Sequence, residues 1–225
     1  MNFMSLCGHS FSCRIRWVTN GSSCNTMEGD DGMDTLAAIR TRRSIRKFHS
    51  RSVERDLLVK MIDAARLAPS VVNLQPLEYV VLDDNGLVKA LFPHTRMGAL
   101  LPENKRPTEA DRPAAYIAVL VNTSIMKQGY ERDVGCAVEN ILLAAVSLGL
   151  GACFIRNIDR EEIGRLLSVP VGYEIDTMVA VGYPAQEPIT EDTGGEDVRY
   201  YLDETGVHRV PKRRLERILH INRFT

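Results

Sequence analysis

The residues with the clearest capacity for chemistry form a basic stretch near the start of the chain. Six Arg and Lys side chains lie between Arg40 and Arg51, with no acidic residue among them. Crowded like charges are costly unless an anion or solvent offsets them. Guanidinium forks and a hydroxyl such as that of Ser44 match phosphate oxygens and donate charge-assisted hydrogen bonds to them. The stretch therefore indicates a possible site for a phosphate-bearing ligand.

Two other interpretations of the basic stretch remain. A run of like charges is more often a solvated face than a binding site. A nucleic-acid contact is less well supported, because the formal net charge is −1 and no stacking aromatic residues are interleaved with the cations. We therefore expect no nucleic-acid partner, and the stretch by itself leaves the anion site and the solvated face both open.

Several other chemistries lack their sequence signatures. The phosphate loop GxxxxGK[ST] and the zinc motif HExxH are absent, and Gly149 and Gly151 do not begin a GxGxxG pattern. No Ser or Cys lies in a nucleophile elbow, and the five His residues are scattered without metal-ligand spacing. We predict neither a protein nucleophile nor a metal site.

Length and composition favour one globular domain. The chain has 225 residues, of which 44% are hydrophobic and 25% charged, and one core can serve a chain of about 250 residues. Residues 1–32 lack both apolar periodicity and the apolar core of a secretory signal, so we expect a disordered leader followed by a domain over residues 33–225. No apolar run reaches the length of about 20 residues needed for a membrane span, and the five Cys residues make an odd total. We expect a cytoplasmic protein with reduced thiols and no membrane partner.

Helical and strand patterns alternate along the domain. Asp34 can cap a helix that runs into the basic stretch, Ser52 precedes a second helix that ends before Pro69, and Asp159 can cap a third. The helix with the clearest apolar periodicity covers residues 131–148 and ends at Gly149. Strands are predicted over residues 79–82, 114–121, 152–156 and 177–182, and the continuous apolar run of the second places it at the centre of a sheet. Residues 93–113 form a proline-rich loop, which we expect to be mobile or to face the substrate.

Three motifs resemble the FMN-dependent nitroreductase family in type, order and spacing. They are RRSIRKF at residues 42–48, APSVVNLQP at 68–76 and GLGACFI at 149–155. VGYP at 181–184 and the basic residues 212–214 extend the resemblance, which runs from about Met33 to Asn222. It implies an α+β fold with a mixed central sheet flanked by helices, in an intertwined homodimer that holds FMN at the subunit interface.

The resemblance also implies roles for single residues in the basic stretch. Arg42, Arg43 and Ser44 would hold the phosphate and ribityl chain of FMN, and Arg46 would approach the N1/O2 edge of the flavin ring. A cation at that edge stabilises the reduced flavin, which carries negative charge near N1.

The remaining implied contacts come from three other segments. They are Pro69, Ser70 and Asn73 from the partner subunit, Phe154 and Ile155 against the isoalloxazine, Arg156 beside the N5 edge, and Lys212 or Arg213 at the phosphate. Relatives often have glycine where Arg156 and Asn157 stand, and a small or hydroxyl residue in place of Val71. The preferences for donor and acceptor therefore do not transfer with the motifs.

The activity that the resemblance implies is hydride transfer from NAD(P)H, through flavin N5, to a small electrophilic acceptor of the nitroaromatic or quinone type. The flavin carries the chemistry, which agrees with the absence of a predicted nucleophile. One alternative is another reaction at the same FMN site, such as reductive dehalogenation or flavin fragmentation. A second alternative is a flavin-binding module without catalytic activity.

Overall fold

The computed structural model describes residues 33–195 and 197–224. The predicted leader, residues 1–32, lies outside the described residues. The helices are α1 (Thr35–Thr41), α2 (Arg55–Arg66), α3 (Asn85–Leu91), α4 (Glu131–Ser147) and α5 (Arg160–Leu166). The strands are β1 (Leu77–Leu82), β2 (Ala115–Asn122), β3 (Gly151–Ile155), β4 (Tyr173–Gly182), β5 (Ile189–Thr193), β6 (Tyr201–Leu202) and β7 (His208–Arg213).

A four-stranded sheet forms the centre of the domain. Its order is β1-β2-β4-β3, and each neighbouring pair is antiparallel. Strand β2 is buried along almost its whole length, because it has a strand on each side and both of its faces are covered. The predicted central strand is therefore confirmed.

Helices cover both faces of this sheet. Side chains of α2 and α4 pack on one face with Ile117, Val119 and Val179, while α3 and α5 pack on the other with Tyr116, Ala118 and Met178. The alternation of side chains along each strand separates the two clusters. A sheet between helical layers is the α+β architecture that was predicted.

The basic segment (residues 42–49) lies along one end of the sheet. Ser44 forms a parallel bridge with Ala152, and the backbone N–H of Ile45 donates to the Ala152 carbonyl at 3.0 Å. Further along, the N–H of His49 donates to the Tyr183 carbonyl at 2.9 Å. The parallel bridge gives the otherwise antiparallel sheet its mixed character.

Two glycines allow the basic segment to approach so closely. Gly151 and Gly182 are directly paired across β3 and β4. A β-carbon built on Gly151 would lie 2.7 Å from Cγ1 of Ile45, and one on Gly182 would lie 2.9 Å from Cδ1 of Phe48. The paired glycines thus form the notch that receives the two apolar side chains of the basic segment.

Helix boundaries follow local chemistry in most places. The Asp34 carboxylate accepts the Ala37 N–H at 3.3 Å, and the Asp159 carboxylate accepts the Glu162 N–H at 3.2 Å, which confirms both predicted caps. Gly149 ends α4 with φ of 73°.

Other details of the helix starts and faces were not predicted. Glu54, two residues after Ser52, directly precedes α2 without a side-chain cap, and Asp84 caps α3. Leu36 and Ile39 are exposed in α1. These two apolar side chains of α1 are therefore spaced as on an amphipathic helix but are not covered by the described chain.

The tail of the chain folds into a second, three-stranded sheet that the sequence pattern did not reveal. We call β5, β6 and β7 the C-terminal arm; their order is β5-β7-β6, with β5 parallel and β6 antiparallel to β7. Backbone hydrogen bonds hold these short polar strands together, which is why periodic apolar positions gave no sign of them. In the part of the chain that the structure describes, no helix is both long and apolar enough to cross a membrane.

The glycine notch leads to a stability prediction. Gly151→Ala should lower the free energy of unfolding by about 1–3 kcal/mol, since the added methyl group overlaps Ile45. Gly164→Ala is the control, because its β-carbon would meet Ile175 at an ordinary 4.0 Å within a helix. Chemical unfolding of both variants tests this, and the double variant Gly151→Ala/Ile45→Ala should lose less stability than the sum of its two single variants, because the added methyl group enters space that Ile45 vacates. Equal stability of the two single variants would contradict the notch.

Candidate functional site

The three arginines of the basic segment have different environments. Nε of Arg42 lies 3.2 Å from a carboxylate oxygen of Glu139 on α4. Nη2 of Arg43 donates to Oγ1 of Thr190 on β5 at 2.8 Å. The guanidinium carbon of Arg46 lies 4.7 Å from the ring centroid of Tyr200, within cation–π range. The basic segment is thus held between α4 and the C-terminal arm.

These cations are incompletely neutralised. Among residues 33–195 and 197–224, Arg42 has a carboxylate partner within 4 Å, whereas Arg43 and Arg46 have none. Partial burial, and secondly the positive charge of Arg42, lower the pKa of Arg43. Both effects disfavour its charged form, so an anion bound beside Arg43 would be stabilising.

A compact aromatic cluster lies against Arg46. The rings of Tyr200 and His208 are 5.1 Å apart and tilted by 60°, and the Tyr200 hydroxyl accepts the backbone N–H of Leu100 at 3.2 Å. His208 is 5% exposed, and its Nε2 has no hydrogen-bond partner in the described structure. Burial, and then the charge of Arg46, lower the pKa of His208 to about 4. The imidazole is therefore neutral near pH 7 and adds no positive charge beside Arg46.

Two further predicted site residues lie on the arm. Lys212 and Arg213 are exposed at the end of β7, where they pair with Asp192 and Thr193 of β5. Arg43 contacts Thr190 of β5. The β5 residues that pair with Lys212 and Arg213 lie two and three positions after Thr190, which corresponds to roughly 7–10 Å along a strand. The fold therefore brings the basic tail into the neighbourhood of the basic segment.

The end of β3 presents one aromatic side chain to solvent. Phe154 is 39% exposed, whereas Ile155 is 3% exposed and packs in the core on the opposite face. A ligand at the Phe154 face could meet the backbone of Ile155, but its side chain points away. Arg156 follows at the exposed end of the strand. The neighbouring Cys153 is no candidate nucleophile, because burial raises the pKa of its thiol.

The segment that follows α2 has a strained backbone. The N–H of Val71 is 3.2 and 3.3 Å from the two carboxylate oxygens of Asp133, and Ser70 Oγ accepts the N–H of Gln75 at 3.1 Å. Val72, Asn73 and Gln75 have backbone φ angles of 42°, 59° and 51°, which residues other than glycine seldom adopt. Such strain persists where surrounding contacts enforce it, and it is common at binding sites.

Within the described chain, the predicted site residues fall into two regions. Ser70 and its neighbours lie at Asp133, whereas Arg42 lies at Glu139, six residues along the same helix. At 1.5 Å per residue this separates the two anchor points by about 9 Å. Arg42, Arg43, Ser44 and Arg46 share one region with the arm, and the group formed by Pro69, Ser70 and Asn73 lies in another.

Four residues that shape these two regions were not predicted from the sequence: Asp133, Thr190, Tyr200 and His208. Three of them are in the polar tail, where no periodic pattern marks a buried position. Asp133 was hidden inside a helix pattern that was interpreted as a core face. The available signal was its spacing, because Asp133 lies four and eight residues before Ala137 and Ile141 and so shares their apolar face.

Comparison with known proteins gives a consistent result. The model of the nitroreductase family matches residues 39–183. A protein of Methanothermobacter thermautotrophicus, assigned by name as an NADH dehydrogenase/NAD(P)H nitroreductase, is 36% identical over an aligned length of 178 positions, and the alignment covers 76% of this chain and 88% of that protein. The 5,6-dimethylbenzimidazole synthase of Rhodospirillum rubrum is 26% identical over an aligned length of 187 positions, and the alignment covers 72% of this chain and 86% of that enzyme.

Solved structures agree with the sequence comparison. A protein of nitroreductase type from Desulfovibrio desulfuricans, crystallised in complex with FMN, is 26% identical and superposes with a TM-score of 0.57. The alignment covers 85% of this chain and 98% of that protein. The nitroreductase-like fold that the motifs implied is thereby confirmed.

Burial of His208 leads to a prediction about pH. The unfolded chain protonates this imidazole near its ordinary pKa of 6.5, whereas the folded protein does so only near 4. Stability should therefore fall as the pH drops through this window, because the unfolded state binds the additional proton. Urea unfolding of wild type and His208→Gln at about pH 7 and about pH 4.5 isolates the effect, since other groups titrate in both. Wild type should lose more stability than the variant, and an equal loss in both would contradict the assignment.

Proposed function

The chain belongs to the nitroreductase family, and from that premise we propose that it is an FMN-dependent oxidoreductase that passes hydride from NAD(P)H to a small electrophilic acceptor. Nitroaromatics and quinones are the proposed acceptor class. The observation that carries this proposal is the basic segment, in which Arg43 and Arg46 lack carboxylate partners within the described residues. Because the chain belongs to an oxidoreductase family, the solvated face is the weaker interpretation of the basic segment, and the anion site is the stronger one.

The residues present fit the phosphate end of FMN. Arg43 is a partly buried cation beside Arg42, and a phosphate would offset the cost of placing the two together. Ser44 supplies a hydroxyl at the same position, and its backbone is fixed by the bridge to Ala152. Lys212 and Arg213 on the neighbouring strand pair would add charge from the arm. We therefore assign phosphate binding to the basic segment and the tip of β7.

Arg46 has a different proposed role. Its guanidinium is positioned by the face of Tyr200 rather than by an acid, so its charge remains available. FMN, when bound, would supply the hydride-accepting and hydride-donating centre. Arg46 would hold positive charge beside the ring edge that becomes negative on reduction, which favours the reduced state. His208, whose ring is 5.1 Å from that of Tyr200, is neutral near pH 7 and therefore adds no positive charge next to Arg46.

Phe154 and the strained segment complete the proposed ring site. Phe154 offers an exposed aromatic face at the end of β3, and Arg156 follows it toward the expected N5 side. Ser70 and Asn73 lie next to the Asp133 end of α4, in a different region from Arg42 of their own chain, and we propose that a second copy supplies them. The exposed apolar side chains of Leu36 and Ile39 support such a homodimer, because they need a covering surface.

A second candidate function uses the same cofactor site for a different reaction, such as flavin fragmentation or reductive dehalogenation. Similarity to a 5,6-dimethylbenzimidazole synthase favours keeping it, since that name describes a synthesis and not nitro reduction. Arg156 and Asn157, which replace the glycine common in relatives, stand at the position where reaction type would be decided. Both functions begin with a reduced flavin, so reoxidation separates them. After anaerobic bleaching by NAD(P)H, a nitroaromatic or quinone should restore intact FMN in the proposed oxidoreductase, whereas the second function requires a halogenated acceptor or destroys the flavin.

The proposed division of labour between the arginines is testable. Arg43→Ala should raise the dissociation constant for FMN about ten- to a hundredfold, the equivalent of losing roughly 1.5–3 kcal/mol from a charge-assisted contact. Arg46→Ala should instead lower the flavin midpoint potential and slow anaerobic reduction. Arg40→Ala removes a charge from the same stretch without touching the proposed site, so it serves as the control. If all three variants match wild type in affinity and potential, the basic segment is a solvated face.

The proposed dimer has its own test. Ile39→Glu should weaken self-association and, with it, FMN retention, because an acid would be buried where the second copy packs. Val171→Glu is the control, since Val171 is an exposed apolar residue like Ile39 but lies in the turn before β4. Sedimentation velocity over a range of concentrations measures both. A wild-type protein that remains monomeric with FMN bound would overturn the shared site.

A further inference from the structure

The proline-rich loop between α3 and β2 encloses a cavity beside the end of β3. The backbone N–H of Arg96 donates to the carbonyl of Asn157 at 2.9 Å, and Thr95 bridges to Ile158. The cavity has a volume of about 490 Å³, and Arg96, Arg106 and Asn157 contribute to its wall. Asn157 is three residues after the exposed Phe154. The loop is therefore attached just beyond the end of β3, the strand that carries Phe154.

Two arginines give this cavity a positive character. Arg106 donates from Nε to the Leu101 carbonyl at 3.2 Å, a contact that fixes the loop around it. Arg96 is exposed, and in the described parts of the chain its guanidinium has no ion pair. Glu103 is the single acidic residue in the wall. Arg106 thus shapes the cavity, and Arg96 is the cation left to meet a ligand.

A second cavity on the other side of Arg156 has the opposite character. Its volume is about 480 Å³, and its wall contains four acids, Glu131, Glu161, Glu174 and Asp176, against two arginines. An anionic group that reaches past the end of β3 would be repelled there and attracted toward Arg96. The charge difference between the cavities therefore selects the loop cavity for an anion.

We propose that the loop cavity is a subsite for a phosphate group of the nicotinamide donor, with Arg96 as the contacting cation. This proposal rests on the proposed function, and it names the part of the donor that the protein recognises away from the flavin. A dihydronicotinamide bound near Phe154 would reach the wall that Arg96 lines by extending its phosphates round the end of β3, past Asn157. The phosphate could be the diphosphate common to NADH and NADPH or the 2′-phosphate that NADPH alone has.

The test compares three donors on FMN-loaded protein. Arg96→Ala should raise KM about tenfold for phosphate-bearing donors and leave the neutral donor 1-benzyl-1,4-dihydronicotinamide unaffected. A rise for NADH and NADPH alike identifies the diphosphate, and a rise for NADPH alone identifies the 2′-phosphate. Lys105→Ala is the matched control, because it removes a cation from the same loop but lines a different cavity. Unchanged KM for both phosphate donors, or an equal change for the neutral donor, would overturn the proposal.

A binding measurement separates this proposal from the proposed function. Calorimetric titration of FMN-loaded protein with ADP and with adenosine 2′,5′-bisphosphate needs no turnover, and bound FMN already occupies the basic segment. We expect at least one of the two probes to bind wild type and Lys105→Ala about tenfold more tightly than Arg96→Ala, with Arg96→Lys intermediate. Equal binding by all variants, or none by wild type, would overturn the subsite. Failure of every donor to reduce the flavin would instead overturn the proposed function.

Discussion

The close approach of the basic segment to the central sheet is the constraint on which the rest of the site depends. Ile45 and Phe48 occupy a notch made by Gly151 and Gly182, which face each other across β3 and β4. A packed interior does not yield to an additional methyl group without displacement. Apolar packing therefore fixes the backbone that carries the cations, so that the repulsion between them cannot push the segment into solvent.

Charge is then distributed over this fixed backbone in an uneven way. Arg42 is paired with Glu139, Arg43 is held by a neutral hydroxyl, and Arg46 lies over an aromatic ring. A carboxylate at every arginine would have stabilised the protein without a ligand but left little attraction for an anion. Neutral partners orient the guanidinium groups and leave their charge available, which is what preorganised electrostatic binding requires.

The C-terminal arm and the proline-rich loop meet at the same place. Tyr200 contacts Arg46 through its ring, His208 through its edge and the loop through its hydroxyl, which accepts the Leu100 N–H. The loop in turn is bonded to Asn157 at the end of β3. Elements far apart in sequence thus converge around the end of one edge strand, where an exposed aromatic side chain and several cations are available. Edge strands suit this purpose because one side remains open to partners.

The sequence by itself determined most of the helices, the strands of the central sheet and the family. The capping acids Asp34 and Asp159, the apolar run of β2 and the periodic face of α4 act through local geometry, so their pattern predicted the elements. The three motifs at residues 42–48, 68–76 and 149–155, taken together, predicted the family. Only the tertiary structure decided that Ile155 points into the core, that Asp133 anchors the strained segment, and that Tyr200 and His208 lie against Arg46. These outcomes depend on contacts between residues up to about 150 positions apart, and the short polar strands of the arm carry no periodic signal of their partners.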